Sequence, residues 1–364
     1  MPHKFSYLFN ALPFSFSHFT RRRHPVRGCY RRSLLLACAM VSCSAQAAAA
    51  QFPLTLQNCG STLTFQRAPT KVVTIGQTGS EMLYALGLGD KLVGTSLWFN
   101  NVLPQYQAQN DKVERLADNA PGFETVISKR PQLVVSQFEM MVGPQGVVGS
   151  RQQFDELNIP TYVMPADCEG KNNLIGADGT RQETFRIESL YKSISQLAAI
   201  FDVQPRGKQL NEELQARLAN ARAVTQRQDL SHASALFWFS SSDLKSDPFV
   251  AGRKGVPDFM LNTLGIRNIV ESDEEWPAVG WETIAKANPT FIIIARMDRR
   301  RFPADDHQKK LAFLQHDPVT RNMAAVKNNR IIILDAEAMH ASLRMFSGLE
   351  TIASTIAKNA DLSK

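Results

Sequence analysis

The strongest constraint on the fold is an internal repeat. Phe123-Glu124-Thr125-Val126 lines up without gaps on Trp281-Glu282-Thr283-Ile284, Pro131 falls on Pro289, and Leu133-Val134-Val135 falls on Phe291-Ile292-Ile293. In each copy a short helix stops before a proline, because the residue preceding a proline is pushed out of the helical region. The apolar run behind it lacks polar alternation, which is the pattern of a strand buried on both faces of a parallel sheet. A chain that uses this helix-to-strand unit twice, far apart, is expected to form two similar α/β halves.

The remaining sequence keeps the same grammar. Lys71–Ile75, Leu92–Thr95, Leu133–Ser136 and Thr161–Met164 read as strands of the first half; Ala235–Phe239, Phe291–Ala295 and Arg330–Leu334 read as strands of the second. Gly76–Gly79 reads as a loop, Ser80–Leu86 as a helix stopped by Gly87, Phe154–Leu157 as the end of a helix, and Val256–Leu264 as a helix stopped by Gly265. Between the halves, Pro205 stands near a first helical turn, and Leu210, Leu214, Leu218 and Ala221 share one face. A helix over 205–228 would span roughly 36 Å, about the height of a domain. It reads as a rigid strut between two lobes, or as one more surface helix. The expected layout is a leader over 1–50, a first lobe over 51–204, a connecting helix over 205–228 and a second lobe over 229–364.

A formal charge of +7 invites a nucleic-acid reading, and its location removes it. Lys4, Arg21, Arg22, Arg23, Arg27, Arg31 and Arg32 precede residue 51 with no Asp or Glu among them, so the rest of the chain is balanced. No basic excess remains there to meet phosphates, and no nucleic-acid partner is expected. The same stretch runs from arginines through apolar Leu34–Val41 to small Ser42–Ala50, the order of a secretory signal cleaved after Ala47 or shortly beyond. Its apolar core is under half of the about 20 residues a membrane-spanning helix needs. Tyr30-Arg31-Arg32 loosely resembles a twin-arginine signal, and Leu35–Cys38 and Met40–Cys43 loosely resemble lipoprotein boxes, so export route and lipid anchoring stay open. Three of the five cysteines (Cys29, Cys38, Cys43) lie in this leader. The pair that remains, Cys59 and Cys168, reads as one disulfide in an exported protein.

Several segments together carry a family likeness. They are Ala68-Pro69-Thr70-Lys71-Val72-Val73-Thr74-Ile75 with Gly79-Ser80-Glu81-Met82-Leu83-Tyr84-Ala85-Leu86-Gly87-Leu88-Gly89-Asp90, the two Glu-Thr helices, Leu264–Ile269 with Trp276–Val279, and Ala324–Arg330. Over most of 68–350 the chain resembles the substrate-binding proteins of ABC importers for iron-siderophores, haem and cobalamin. The resemblance implies a class III periplasmic-binding-protein fold: two Rossmann-like α/β lobes with parallel sheets, joined by one long helix. It implies a periplasmic monomer that takes a ferric-siderophore-like chelate or a corrinoid and delivers it to an ABC permease dimer with its ATPase subunits, with no cofactor of its own. Glu124 and Glu282 stand where the family's lobes each present a carboxylate to the permease; two separated charges fix orientation more than they add affinity. Acids at helix N-termini are also favoured by the macrodipole alone.

In this fold the ligand lies between the lobes, against loops at the carboxyl ends of strands. By position those loops offer Gln77, Thr78, Trp98, Phe99, Gln137, Phe138, Glu139, Phe239, Ser240, Trp276, Arg296, His340 and Arg344. Aromatics would enclose a partly apolar chelate and an arginine would meet an anionic group on it, although an aromatic at such a place also packs cores and Arg344 also suits a brace. A receptor for free Fe, Zn or Mn is the alternative. It is disfavoured because only His232, His307, His316 and His340 follow the leader, and one of them falls on an expected cleft loop. An exported enzyme is disfavoured too: Gly252-Arg253-Lys254-Gly255 lacks P-loop spacing, and neither a nucleophile elbow nor a zinc-protease motif is present.

Overall fold

The computed structural model describes residues 51–176 and 179–359, so the readings of the leader, Cys29, Cys38 and Cys43 included, lie outside the described residues. The first half runs β1 (Leu54–Asn58), β2 (Ser61–Phe65), β3 (Val72–Ile75), α1 (Gln77–Ala85), β4 (Leu92–Ser96), α2 (Gln107–Asn110), β5 (Arg115–Ala117), α3 (Phe123–Ser128), β6 (Leu133–Ser136), α4 (Glu139–Val142), α5 (Arg151–Glu156) and β7 (Thr161–Val163). A small hairpin, β8 (Lys171–Asn172) and β9 (Thr180–Arg181), precedes α6 (Glu188–Ile200) and α7 (Gln204–Thr225). The second half runs β10 (Ser234–Ser240), β11 (Phe249–Val250), α8 (Val256–Leu264), β12 (Arg267–Asn268), α9 (Trp281–Ala287), β13 (Phe291–Arg296), α10 (His307–His316), α11 (Ala324–Lys327), β14 (Ile331–Asp335) and α12 (Arg344–Lys358). Among the described residues no helix is long and apolar enough to cross a membrane.

Each half is built on its own sheet. The first is parallel throughout, in the order β5-β4-β3-β6-β7. In the second, β10, β13 and β14 are parallel neighbours, and β12 and the antiparallel β11 share the other edge of β10. The repeated unit occupies the same place in both: β6 pairs with β3 at Val72 opposite Leu133, and β13 pairs with β10 at Ala235 opposite Phe291. These strands are buried on both faces, as their unbroken apolar runs require. The aromatic that opens each repeat anchors its helix to its own lobe. Phe123 packs on Phe154 at 4.9 Å between ring centroids, and Trp281 packs on Trp238 at 4.7 Å.

The connecting helix α7 starts one residue before and ends three before the expected span. It packs on α6 along one side and on α12 along the other. Leu210, Leu214 and Ala221 are buried in that seam, with Leu218 packed at its edge. Arg217 reinforces the α12 side by gripping Glu350 with two hydrogen bonds of 2.7 Å. Cys59 and Cys168 form the disulfide, which ties the β1–β2 turn to the segment after β7. Beside it, the Asn58 side chain donates to the Val163 carbonyl (2.7 Å) and accepts its N–H (2.8 Å), closing the exposed edge of β7.

One local expectation is overturned: Gly76–Gly79 is not a loop but the turn into α1, which begins at Gln77. Gly76 makes the turn with φ of +120°, and a Cβ there would collide with the Gln137 side chain. The free N–H of Thr78 is capped by Gln137 Oε1 at 3.1 Å, a partner 59 residues away. Without a local cap, sequence alone places the start of this helix too late.

Candidate functional site

The two lobes meet where the carboxyl ends of β3, β4 and β6 face those of β13 and β14. Part of this junction is polar and buried. Gln77 Oε1 accepts the backbone N–H groups of Phe99 (3.2 Å) and Asn100 (3.1 Å), and its amide donates to Glu81 (3.2 Å). Across the junction, the Thr78 hydroxyl and the Gln137 amide (2.9 Å) both donate to Glu337 Oε1. Asn100 accepts the Glu337 N–H (3.2 Å) and donates to the Arg296 carbonyl (2.8 Å). Arg344, on α12, donates from Nε to Glu81 (2.9 Å) and from Nη1 to Asp335 (2.8 Å). The more exposed Arg296 also bonds Asp335, at 3.0 Å.

Charge accounting singles out Glu337. The two guanidiniums are matched by Glu81 and Asp335, which leaves Glu337 as a third carboxyl with no cation to itself. Burial pushes its pKa up to about 8, and its Oε2 is enclosed without a hydrogen-bond partner among the described residues.

The other part of the junction is aromatic. Around the His340 ring stand Phe99 (5.6 Å), Phe138 (5.5 Å), Phe239 (5.5 Å) and Trp276 (5.9 Å). Phe239 stacks on Trp276 at 4.4 Å and meets Phe99 edge-on at 5.7 Å. Phe99 and Phe138 come from the first lobe, the other three rings from the second, so this contact joins the two halves. His340 Nε2 is enclosed and has no hydrogen-bond partner among the described residues. Burial first, and the nearby Lys171 ammonium second, hold the imidazole pKa down at about 3, so the ring is neutral at ordinary pH. A neutral imidazole with a free ring nitrogen, walled by aromatic faces, can donate a lone pair to a metal centre or a hydrogen bond to an acceptor.

The remaining expected residues are committed to partners within the protein or exposed on its surface. Trp98 is buried inside the first lobe, donates to Thr95 (2.9 Å) and lies under Arg115. Ser240 donates to Asp305 (3.0 Å) within the second lobe. Glu139 opens α4 beside Phe138; its N–H bonds Asp167 (2.6 Å) and its carboxylate accepts from Asn173 (2.6 Å). Arg296 and Arg344 are both engaged by carboxylates of the protein. Glu124 and Glu282 are exposed second residues of α3 and α9, each following a glycine N-cap, Gly122 and Gly280. Sequence reasoning did not single out Glu81, Asn100, Lys171, Asp335 or Glu337. Glu81, an acid between Ser80 and the apolar run Met82-Leu83, carried the one available signal.

Comparison with known proteins agrees with this architecture. The sequence profile of the family described as periplasmic binding protein matches residues 72–338. An ABC transporter substrate-binding lipoprotein of Bacillus subtilis, itself uncharacterised, is 24% identical over 84% of this chain and 86% of its own. A vitamin B12-binding protein of Pectobacterium carotovorum is 21% identical over 62% of this chain and 71% of its own. Among solved structures, an ABC-type Fe3+-hydroxamate transport protein from Saccharomonospora viridis superposes with a TM-score of 0.67 at 21% identity, covering 84% of this chain and 99% of that one. A periplasmic haem-binding protein from Pseudomonas aeruginosa does so with a TM-score of 0.62 at 20% identity, covering 80% and 94%. These structural likenesses show the class III fold. Members of the family are substrate-binding parts of transporters and not enzymes. The chain belongs to the periplasmic binding protein family, as an ABC-transporter substrate-binding protein.

Proposed function

We propose that the protein captures a metal chelate with a flat, largely apolar face, a corrinoid or a haem-like macrocycle, and hands it to an ABC permease outside the cytoplasm. The observation that carries this is the ring of four aromatics around the neutral, unpartnered His340. Aromatic faces recover their contact area against a macrocycle when the lobes part to admit it. An unprotonated imidazole nitrogen is suited to the axial position of an iron or cobalt centre. The B12-binding relative and the haem-binding structural neighbour support this reading. A free-metal receptor gains no support, since among the described residues no cluster of three or more His, Cys, Asp or Glu is placed to hold a metal ion.

Titration of the purified protein with haemin, dicyanocobinamide, cyanocobalamin and a ferric hydroxamate, followed by absorbance and tryptophan quenching, tests the cargo. Micromolar or tighter binding of a macrocycle, with a spectral shift that His340→Leu removes, is expected. Binding of the hydroxamate alone would sink the macrocycle. For delivery, the exposed Glu124 and Glu282, one on each repeat helix, are proposed as the two permease contacts. The double variant Glu124→Arg, Glu282→Arg should abolish uptake and leave cargo affinity unchanged.

A further inference from the structure

A cavity beside the loops that follow β4 and β13 is chemically unlike the aromatic cluster. Its volume is about 630 Å³, and it is lined from both lobes, by Asn110 and Arg115 of the first and Asp298, Arg299, Arg300 and His307 of the second. Neither His340 nor any of the four rings around it belongs to its wall.

Two of its three arginines have acidic partners. Arg300 donates to Asp306 at 2.6 Å, and Arg299 is paired with Asp118. Arg115 has none: its guanidinium lies over the Trp98 ring, 4.4 Å from the centroid, and among the described residues its side chain makes no hydrogen bond or ion pair. Burial brings its pKa down to about 10, and the next cause is the positive charge of Arg299 on the opposite lobe. Arg299 itself keeps Nη1 buried without a hydrogen-bond partner. Two guanidiniums from different lobes therefore face one polar volume, and one of them has no carboxylate.

An unpaired charge that is partly buried beside a like charge is unfavourable, and the deficit is met by an anion. The planar guanidinium fork matches the two oxygens of a carboxylate or phosphate, and a compact spherical ion fits it less well. Asn110 adds a donor, because its Oδ1 is occupied by the Tyr84 hydroxyl (3.1 Å), which leaves its NH2 for a ligand. Among the described residues Asp298 is the one carboxylate on the wall; its Oδ2 accepts the Asn101 N–H (2.8 Å), and its charge opposes an anion that comes near it, so the Arg115 end is the favourable one.

We propose that this cavity is an oxoanion site, which takes a carboxylate or phosphate group between Arg115 and Arg299 and so bridges the two lobes. The proposal does not depend on the identity of the cargo in the aromatic cluster. The anion is either free in solution or the acidic arm of a larger bound molecule, and three probes separate these sources.

The experiment is calorimetry and thermal melting of the purified protein with inorganic phosphate, citrate and ferric citrate, each against sodium chloride at equal ionic strength. Binding to the native state raises the melting temperature by mass action. At least one probe is expected to do so beyond chloride, with affinity falling about tenfold or more in Arg115→Gln and in Arg299→Gln. A response to phosphate identifies a free anion; a response confined to citrate or its iron complex identifies a carboxylate arm. If Arg115→Gln does not fold, Arg299→Gln decides, because Arg299 is the more exposed and its loss leaves the Trp98 packing intact. No response of the wild-type protein beyond chloride overturns the site, as does a response that the folded variants keep.

Discussion

The two parts of the lobe junction are made of opposite materials, although they share the loops after β4, β6 and β14. The polar part is directional: Glu81, Arg344, Asp335, Thr78, Gln137 and Glu337 meet at fixed angles, and removing any one leaves a buried charge or donor unanswered. The aromatic part has no such geometry to lose. Phe99, Phe138, Phe239 and Trp276 touch His340 through ring faces and edges that tolerate sliding and can be exchanged for contacts with another flat surface. A receptor that must close reproducibly and yet open for cargo gains from this division. The polar part holds the two halves at fixed angles, and on the proposed reading the aromatic part is where a ligand would substitute for protein.

The comparison breaks most directly at Arg344. Arg344→Met should cost about 3–5 kcal/mol, because it leaves Glu81 fully buried and without its cation. Urea unfolding of the variant measures this. A loss under about 1 kcal/mol would mean that solvent reaches this part of the junction and that it does not fix the closed geometry.

How much of this was legible in the sequence follows the same division. That the aromatics and His340 stand at the lobe junction was legible, because strand ends can be located from apolar runs and the loops after parallel strands gather at one end of a sheet. The repeat gave the two halves, and the disulfide followed from counting cysteines. The polar network was illegible for a physical reason. Its bonds join Thr78 to Glu337 and Arg344 to Glu81, 259 and 263 residues apart, and no local pattern announces such a pairing. Trp98 shows the converse limit. It stands on the right loop, yet the positive φ of Leu97 and a bond to Thr95 direct it into the core. The Arg115 and Arg299 cavity was equally hidden, because it needs two loops from different lobes to exist.

The next largest effect should come from Glu337. Its folded pKa, about 8, stands above the ordinary 4.5, so its contribution to stability is complete below about 4.5 and is lost as pH rises through about 8. Across that window the wild-type protein should lose stability relative to Glu337→Gln, by at most about 1.4 kcal/mol per pH unit. Parallel urea titrations of both proteins at pH 5 and pH 8 check this. Equal differences at the two pH values would show that the carboxyl is ionised throughout and that the polar part of the junction carries no proton linkage.

His340 supplies the opposite sign and the smallest effect on stability. Its folded pKa, about 3, lies below the ordinary 6.5, so its contribution is complete above about 6.5 and is lost as pH falls through about 3. Near pH 7 the ring is neutral; losing its aromatic contacts and relieving the enclosed, unpartnered Nε2 act in opposite directions, so His340→Leu should change stability by under about 1 kcal/mol there. At pH 5 the variant should gain on the wild type, because Leu has no proton to refuse. The two substitutions therefore separate the two parts of the junction by pH: Glu337→Gln removes a loss on the alkaline side and His340→Leu removes one on the acid side. If both variants instead track the wild type in parallel from pH 5 to pH 8, neither group is held away from solvent, and the lobes rest open in solution with the aromatic cluster already parted.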